Sequence, residues 1–170
     1  MASVLTHRNL PLLLLQAREA VLFHFRPIIN HFGLTEQQWR IIRTLSENEA
    51  MEPRRIAEVC KILGPSLTGV LARMEQLGLV ERRRLDTDQR RMLVSLTPKS
   101  RDLVKRMAPL VEAQYRELER AVGRAAIAEA YRAVDLLLAQ LATRVALVAL
   151  PKAAPRTPAR RRGTRRTRRA

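Results

Sequence analysis

The chain has 170 residues, 46% of them apolar, 28% charged and 4% aromatic, which suits one helical body with an aliphatic core rather than an aromatic-rich sandwich. One Cys rules out an internal disulfide framework, and with only three His it argues against a protein-only zinc or iron–sulfur centre, so no cofactor is expected. Lys plus Arg number 32 against 16 acidic residues, and the net charge of +16 favours a polyanionic partner, nucleic acid before anionic membrane.

The apolar run Leu10–Leu15 is too short for a secretory signal and lacks a cleavage-like flank. No stretch reaches the roughly 18 apolar residues of a membrane span. The expectation is a cytoplasmic, nucleoid-associated protein with no membrane contact.

A first helix is expected from about Leu12 to Phe32, with Pro27 as a point of kinking. Thr35-Glu-Gln-Gln38 has the form of a capping box and opens a second helix to about Glu47, along which Trp39, Ile42 and Leu45 recur at helical spacing. Pro53 fits the first turn of a short third helix, with Ile56, Val59, Cys60 and Leu63 as its apolar face. Gly64-Pro65 breaks that helix and starts a fourth. Leu67, Leu71, Met74 and Leu77 line the inner side of this fourth helix, and Gly78 suits its left-handed cap. The period then changes. Leu79–Arg84 and Arg91–Leu96 alternate as short strands about the polar connection Leu85–Arg90. Thr97-Pro98 restarts a helix running to about Val122, Gly123 interrupts it, and a last helix follows to about Leu150.

The last twenty residues, Pro151–Ala170, hold nine basic residues, no acidic one and three prolines, which reads as a disordered Arg-rich tail. Setting those nine charges aside leaves +7 on residues 1–150, so the body is basic in its own right. The tail either touches phosphates or merely solubilises the chain.

This order of elements predicts a mainly α fold with a small β-hairpin: a winged helix-turn-helix at about residues 35–97, flanked by dimerisation helices at 8–32 and 98–150. In such a module one helix enters the major groove and the hairpin rests on the backbone or the minor groove. Pro65 opens the fourth helix, and Ser66, Thr68, Gly69 and Arg73 lie toward its outer side. Short hydroxyls near a helix N-terminus reach base edges and phosphates, glycine permits close approach, and Arg73 suits a guanine edge or a phosphate. The hairpin adds Arg82, Arg84, Asp88, Arg90 and Arg91. Arg90 is assigned to the minor groove and Arg84 to a phosphate, with an Asp88–Arg90 pair that holds the loop's shape as the alternative. Leu136, Leu137, Leu138, Leu141, Val145, Leu147, Val148 and Leu150 crowd the last helix. Such a surface is normally buried in an assembly, so a homodimer on a palindromic double-stranded operator is expected.

The run Leu63–Val80, followed by Asp88-Gln-Arg90 and Leu93-Val-Ser-Leu-Thr97, resembles the MarR (multiple antibiotic resistance regulator) family. Gln16–Ala20, Phe25–Ile28, Thr35–Arg43 and Pro65–Gly69 resemble, more narrowly, the branch of it that controls homoprotocatechuate breakdown. The resemblance covers about residues 5–145 and not the Arg-rich tail. It implies a homodimeric repressor of aromatic-acid degradation genes, released from its operator by a phenolic acid such as 4-hydroxyphenylacetate. The effector-binding pattern of a relative matches at His7, Trp39, Arg43, Val111 and Tyr115. Asn9 stands where that relative has Ser, Pro11 where it has Asn, and Glu36 where it has Asp.

The residues give part of this independently. Trp39 and Arg43 are four apart and share a helix face, so an indole wall and a guanidinium suit a small aromatic carboxylate. Tyr115 can meet either end of such a ligand. Taken singly, Trp39 also reads as core and Arg43 as a surface cation. Cys60, among apolar neighbours, reads as core packing before redox sensing. No Ser–His–Asp order, glycine-rich nucleotide loop or HExxH is found, so an enzyme is not expected. A redox-responsive or an architectural DNA-binding protein is the rival class.

Overall fold

The computed structural model describes residues 5–85, 88–143 and 145–150, except for the side chains of 85 and 88–90. The Arg-rich tail and Asp86 lie outside the described residues, as does the Asp88–Arg90 side-chain pair. The elements are α1 (Leu10–His31), α2 (Glu36–Glu47), β1 (Ala50–Met51), α3 (Pro53–Cys60), α4 (Gly64–Gln76), β2 (Val80–Leu85), β3 (Asp88–Leu96), α5 (Pro98–Val122) and α6 (Arg124–Leu141). Two compact units divide the chain, residues 1–127 and 128–170.

The starts of the helices follow from their capping residues. Asn9 caps α1 through the Leu12 amide at 3.1 Å. At α2 the capping box forms in both directions: the Gln38 amide donates to Thr35 Oγ1 at 3.2 Å and the Thr35 amide to Gln38 Oε1 at 2.9 Å. We expect Thr35→Ala to cost about 1 kcal/mol. Urea denaturation will show this as a lowered midpoint that Thr35→Ser largely restores. Prolines occupy the first turns of α3, α4 and α5, where the missing N–H is not needed.

The core of the first unit gathers Phe25 and Ile29 of α1, Ile41, Ile42 and Leu45 of α2, and Ile56 and Cys60 of α3. Leu67, Leu71 and Met74 of α4, Val94 and Leu96 of β3, and Leu103, Met107 and Val111 of α5 complete it. The sheet has the order β1-β3-β2, all antiparallel. The hairpin expected from the alternation is present, with Val80 opposite Leu96 and Arg84 opposite Met92. The strand β1, which pairs Ala50 with Ser95, was not foreseen.

A joint ties this sheet to α5. Thr97 Oγ1 donates to the Gly78 carbonyl at 2.7 Å, and the buried Ser100 hydroxyl donates to that of Leu79 at 2.6 Å. Gly78 has φ +66, which glycine adopts without strain.

Three expectations are corrected. Leu77 is 38% exposed because α4 ends at Gln76, and the turn at Gly78 sends Leu79 inward in its place. Val59 lies on the outer side of α3, whose buried residues are Ile56 and Cys60, and Leu63 is exposed because Lys61 takes a left-handed conformation after Cys60, so Ile62 returns to the core instead. The last helix stops at Leu141, not near Leu150, and residues 145–150 are non-helical and exposed. Nothing there buries apolar area to offset the entropy of helix formation, and the β-branched Val145 and Val148 favour helix weakly.

Candidate DNA-binding face and effector cleft

On α4 the side chains separate cleanly. Leu67, Leu71 and Met74 point into the core, whereas Pro65, Ser66, Thr68, Gly69 and Arg73 are all exposed. Thr68 Oγ1 donates back to the Gly64 carbonyl at 3.3 Å, and Arg73 donates to Gln76 on its own helix at 3.4 Å. A Cβ built on Gly69 meets nothing within 4 Å, so the protein's own packing does not demand glycine there.

The arginines of the hairpin divide into two groups. Arg84 is exposed on β2. Arg82 is half-buried, its Nε 3.2 Å from the Glu75 carboxylate, so it fastens β2 to the end of α4. Arg91 pairs with Glu52, which precedes α3. Asp88 and Arg90 lie on β3 by their backbone; their side chains are outside the described residues.

A second site lies between α1 and α2, a cleft of about 450 Å³ with Val21, Leu22 and Trp39 as its apolar walls. Arg43 and Glu36, both expected from the sequence, open on it. Arg18 and Arg40, which were not expected, open on it too. Arg40 is held at the far side by the Cys60 carbonyl, 2.7 Å from its Nη1. Arg43 Nε donates to Glu47 Oε1 at 2.7 Å. That bond raises the Arg43 pKa further above the ordinary guanidinium value, against a smaller opposing effect of burial.

Ion pairs brace the mouth of the cleft. Arg26 bridges Glu36 of α2 and Glu19 of its own helix, and Arg18 pairs with Glu19 and lies 3.6 Å from Glu36. The Arg26 hydrogen bond holds the Glu19 carboxyl below the usual carboxylate range. Stabilisation from a depressed carboxyl is complete above its unfolded pKa and is lost as pH falls through the folded one. The brace is therefore constant across the neutral range.

The other effector candidates do not line this cleft. Val111 is buried in the core, 4% exposed. Tyr115 packs against Phe25 with tilted rings, their centroids 4.8 Å apart. The Asn9 side chain is spent on capping α1, and His7 is exposed beside Thr6 at 3.3 Å. Cys60 is 1% exposed and lies 3.4 Å from Thr44 Oγ1, which fits core packing. Among the described residues no cluster of His, Cys, Asp or Glu is suited to a metal ion, and no helix is long and apolar enough to cross a membrane.

Arg18 carried no pattern of its own in the sequence; only the packing of α1 on α2 brings it beside Trp39. An arginine four and seven residues ahead of the half-buried Leu22 and the buried Phe25, on the same helix face, was the available signal.

Comparison with known proteins places the chain in a family. Residues 34–92 match the MarR family. Over 113 residues the chain is 47% identical to the homoprotocatechuate degradative operon repressor of Escherichia coli, covering 66% of this chain and 76% of that one. It resembles the crystal structure of NadR in complex with 4-hydroxyphenylacetate with a TM-score of 0.71 and 40% identity, over 84% of this chain and 98% of NadR. It resembles the transcriptional repressor CouR bound to a 23-mer DNA duplex with a TM-score of 0.65 and 27% identity, over 79% of this chain and 92% of CouR. Identity at that level over that much of a relative reflects common descent as well as common shape, and the chain belongs to the MarR family of DNA-binding transcription regulators.

Proposed function

We propose that this protein is a ligand-responsive repressor: a homodimer that holds a palindromic operator and releases it when a small aromatic carboxylate of the phenylacetate class enters the α1–α2 cleft. The observation that carries the reading is the cleft itself, where an indole and a guanidinium four residues apart face an apolar wall. Ring stacks on ring, and Arg43 and Arg18 receive the acid. The names of two similar proteins support the ligand class: one represses a homoprotocatechuate operon, the other was crystallised with 4-hydroxyphenylacetate. The regulated genes are accordingly those of aromatic-acid degradation, and the site of action is the nucleoid.

Each part of the molecule takes a role in this scheme. Ser66, Thr68, Gly69 and Arg73, with Pro65 setting the helix start, meet the major groove, while Arg84 and Arg90 meet the backbone and minor groove. Arg82 and Arg91 hold the hairpin in place beside them through Glu75 and Glu52. Dimerisation covers the apolar residues that each unit leaves in solvent, Leu10, Leu12, Leu15 and Phe23 on α1 and Leu136, Leu138 and Leu141 on α6. His7 reaches the cleft from the N-terminal arm across the dimer, Asn9 fixes the start of that arm's helix as its cap, and Val111 and Tyr115 support the cleft from α5. Release requires only that the ligand bind the DNA-incompetent arrangement more tightly than the competent one.

Trp39 is the single tryptophan and lines the cleft, so emission excited selectively at tryptophan reports the cleft. Titration with 4-hydroxyphenylacetate should give a saturable change in emission. At saturation, operator affinity at one fixed salt concentration should fall at least tenfold, about 1.4 kcal/mol. Unchanged operator affinity would reject this effector.

A further inference from the structure

Three guanidiniums open on the α1–α2 cleft, and they are not equivalent. Arg18 pairs with Glu19 and lies beside Glu36, and Arg43 pairs with Glu47, so each already has a carboxylate. Arg40 has no carboxylate partner among the described residues; its Nη1 donates instead to the Cys60 carbonyl at 2.7 Å. Cys60 is the last residue of α3. The last carbonyls of a helix have no donor within it, so the bond from Arg40 satisfies an acceptor that α3 cannot. The same contact is backed by the Cys60 thiol, which lies 3.8 Å from the Arg40 carbonyl and 3.4 Å from the hydroxyl of Thr44, another residue of the cleft wall. Only Lys61, Ile62 and Leu63 separate Cys60 from the start of α4, and the left-handed Lys61 makes that turn tight. Arg40 therefore touches the cleft at one side and the turn that sets α4 at the other.

We propose that Arg40 couples the cleft to the DNA-binding face: the effector's carboxylate draws its guanidinium off the Cys60 carbonyl, and the turn before α4 loses its tie to α2. A carboxylate competes well for this donor, because charge-assisted hydrogen bonds are about twice as strong as those between neutral groups. Arg40 and Arg43 are three residues apart and so neighbours on the surface of α2, and the two oxygens of a carboxylate can be shared between them. The ligand then binds best to the arrangement in which the Arg40–Cys60 bond is open, which is the differential affinity that release requires. The thiol takes no part; the event is an exchange of hydrogen-bond partners. The proposal rests on the effector reading above and adds the path within one protomer by which the cleft reaches α4. It also sets two nearby arginines in opposition: loss of Arg43 leaves the protein held on its operator, whereas loss of Arg40 leaves it released.

Cys60 is the single cysteine, so the full chain labelled isotopically at the cysteine carbonyl carbon gives one NMR resonance, that of the acceptor itself. Loss of a hydrogen bond moves a carbonyl carbon upfield. Addition of 4-hydroxyphenylacetate should move this resonance upfield with the same midpoint as the change in Trp39 emission. In Arg40→Met, which keeps the side chain's apolar stem and loses its donors, the resonance should lie upfield without ligand and stay there at saturation. That variant should bind operator roughly tenfold or more weakly in the absence of ligand, with little further change on its addition. Arg40→Lys, which can still donate to the carbonyl, should recover most of the operator affinity. Trp39 emission that saturates while the Cys60 resonance stays still would overturn the proposal. So would an equal upfield move in Arg40→Met, which would come from the ligand's ring and not from the bond, and so would normal operator binding and release by that variant. The label on the unaltered chain carries the test even where a variant folds poorly. If neither Trp39 nor Cys60 responds to ligand, the effector reading itself fails and the coupling falls with it, so the emission tells the two failures apart.

Discussion

Arg43→Ala should hold its operator as the unaltered protein does and fail to release it when 4-hydroxyphenylacetate is added. Arg43 sits on the solvent side of α2, and its ion partner Glu47 is one turn away on the same helix. Its loss leaves the buried face of Ile41, Ile42 and Leu45 untouched, so the module that α2 supports keeps its packing. A carboxylate entering the cleft loses a fixed cation and meets the Glu47 carboxylate without its partner. Hydrogen bonds to charged groups contribute about 1.5–3 kcal/mol, so ligand affinity should fall roughly 10- to 150-fold. Arg43→Lys should fall between, because it keeps the charge and loses the fork. Fluorescence anisotropy of labelled operator, with and without ligand at one salt concentration, reads both halves of the expectation. Full release from the Ala variant would remove Arg43 from the effector site.

Gly69→Ala should stabilise the protein and weaken its hold on DNA, two effects that ordinarily go together in the opposite sense. Gly69 lies inside α4, where alanine is favoured over glycine by about 1 kcal/mol. The added methyl meets nothing within 4 Å, so no packing cost opposes that gain. For a chain of this size the melting temperature should rise by roughly 2–4 °C. On the operator the same methyl stands between helix and duplex, and affinity should drop about tenfold or more. A variant that is more stable and binds normally would show that this point of α4 does not approach the groove. A merely damaged fold would lower both quantities, so the paired measurement separates contact from structure.

Residues that act locally made much of this architecture readable in advance. Thr35 with Gln38, Pro53, Pro65, Thr97 and Gly123 mark helix limits through bonds or dihedrals within a few residues, and each limit lies where the structure puts it. The β1 strand was illegible because two residues define it only through pairing with Ser95 and Val94, more than forty positions on. Leu63 and Leu77 deceived for a related reason. Helical periodicity places them inward, but the left-handed Lys61 takes Leu63 out of the pattern of α3, and Leu77 already lies past the end of α4 at Gln76. In the cleft, Trp39 and Arg43 were legible because their spacing alone sets them on one face. Arg18 was not, since its place depends on how a separate helix lies across α2.

The hydroxyls of Thr97 and Ser100, bound to the carbonyls of Gly78 and Leu79, leave no slack at the bend where α5 departs. A stiff elbow of this kind transmits rotation without absorbing it. In the repressor scheme proposed above, a swing of α5 would reach the face that carries α4 and the hairpin as a change of angle, through these two bonds.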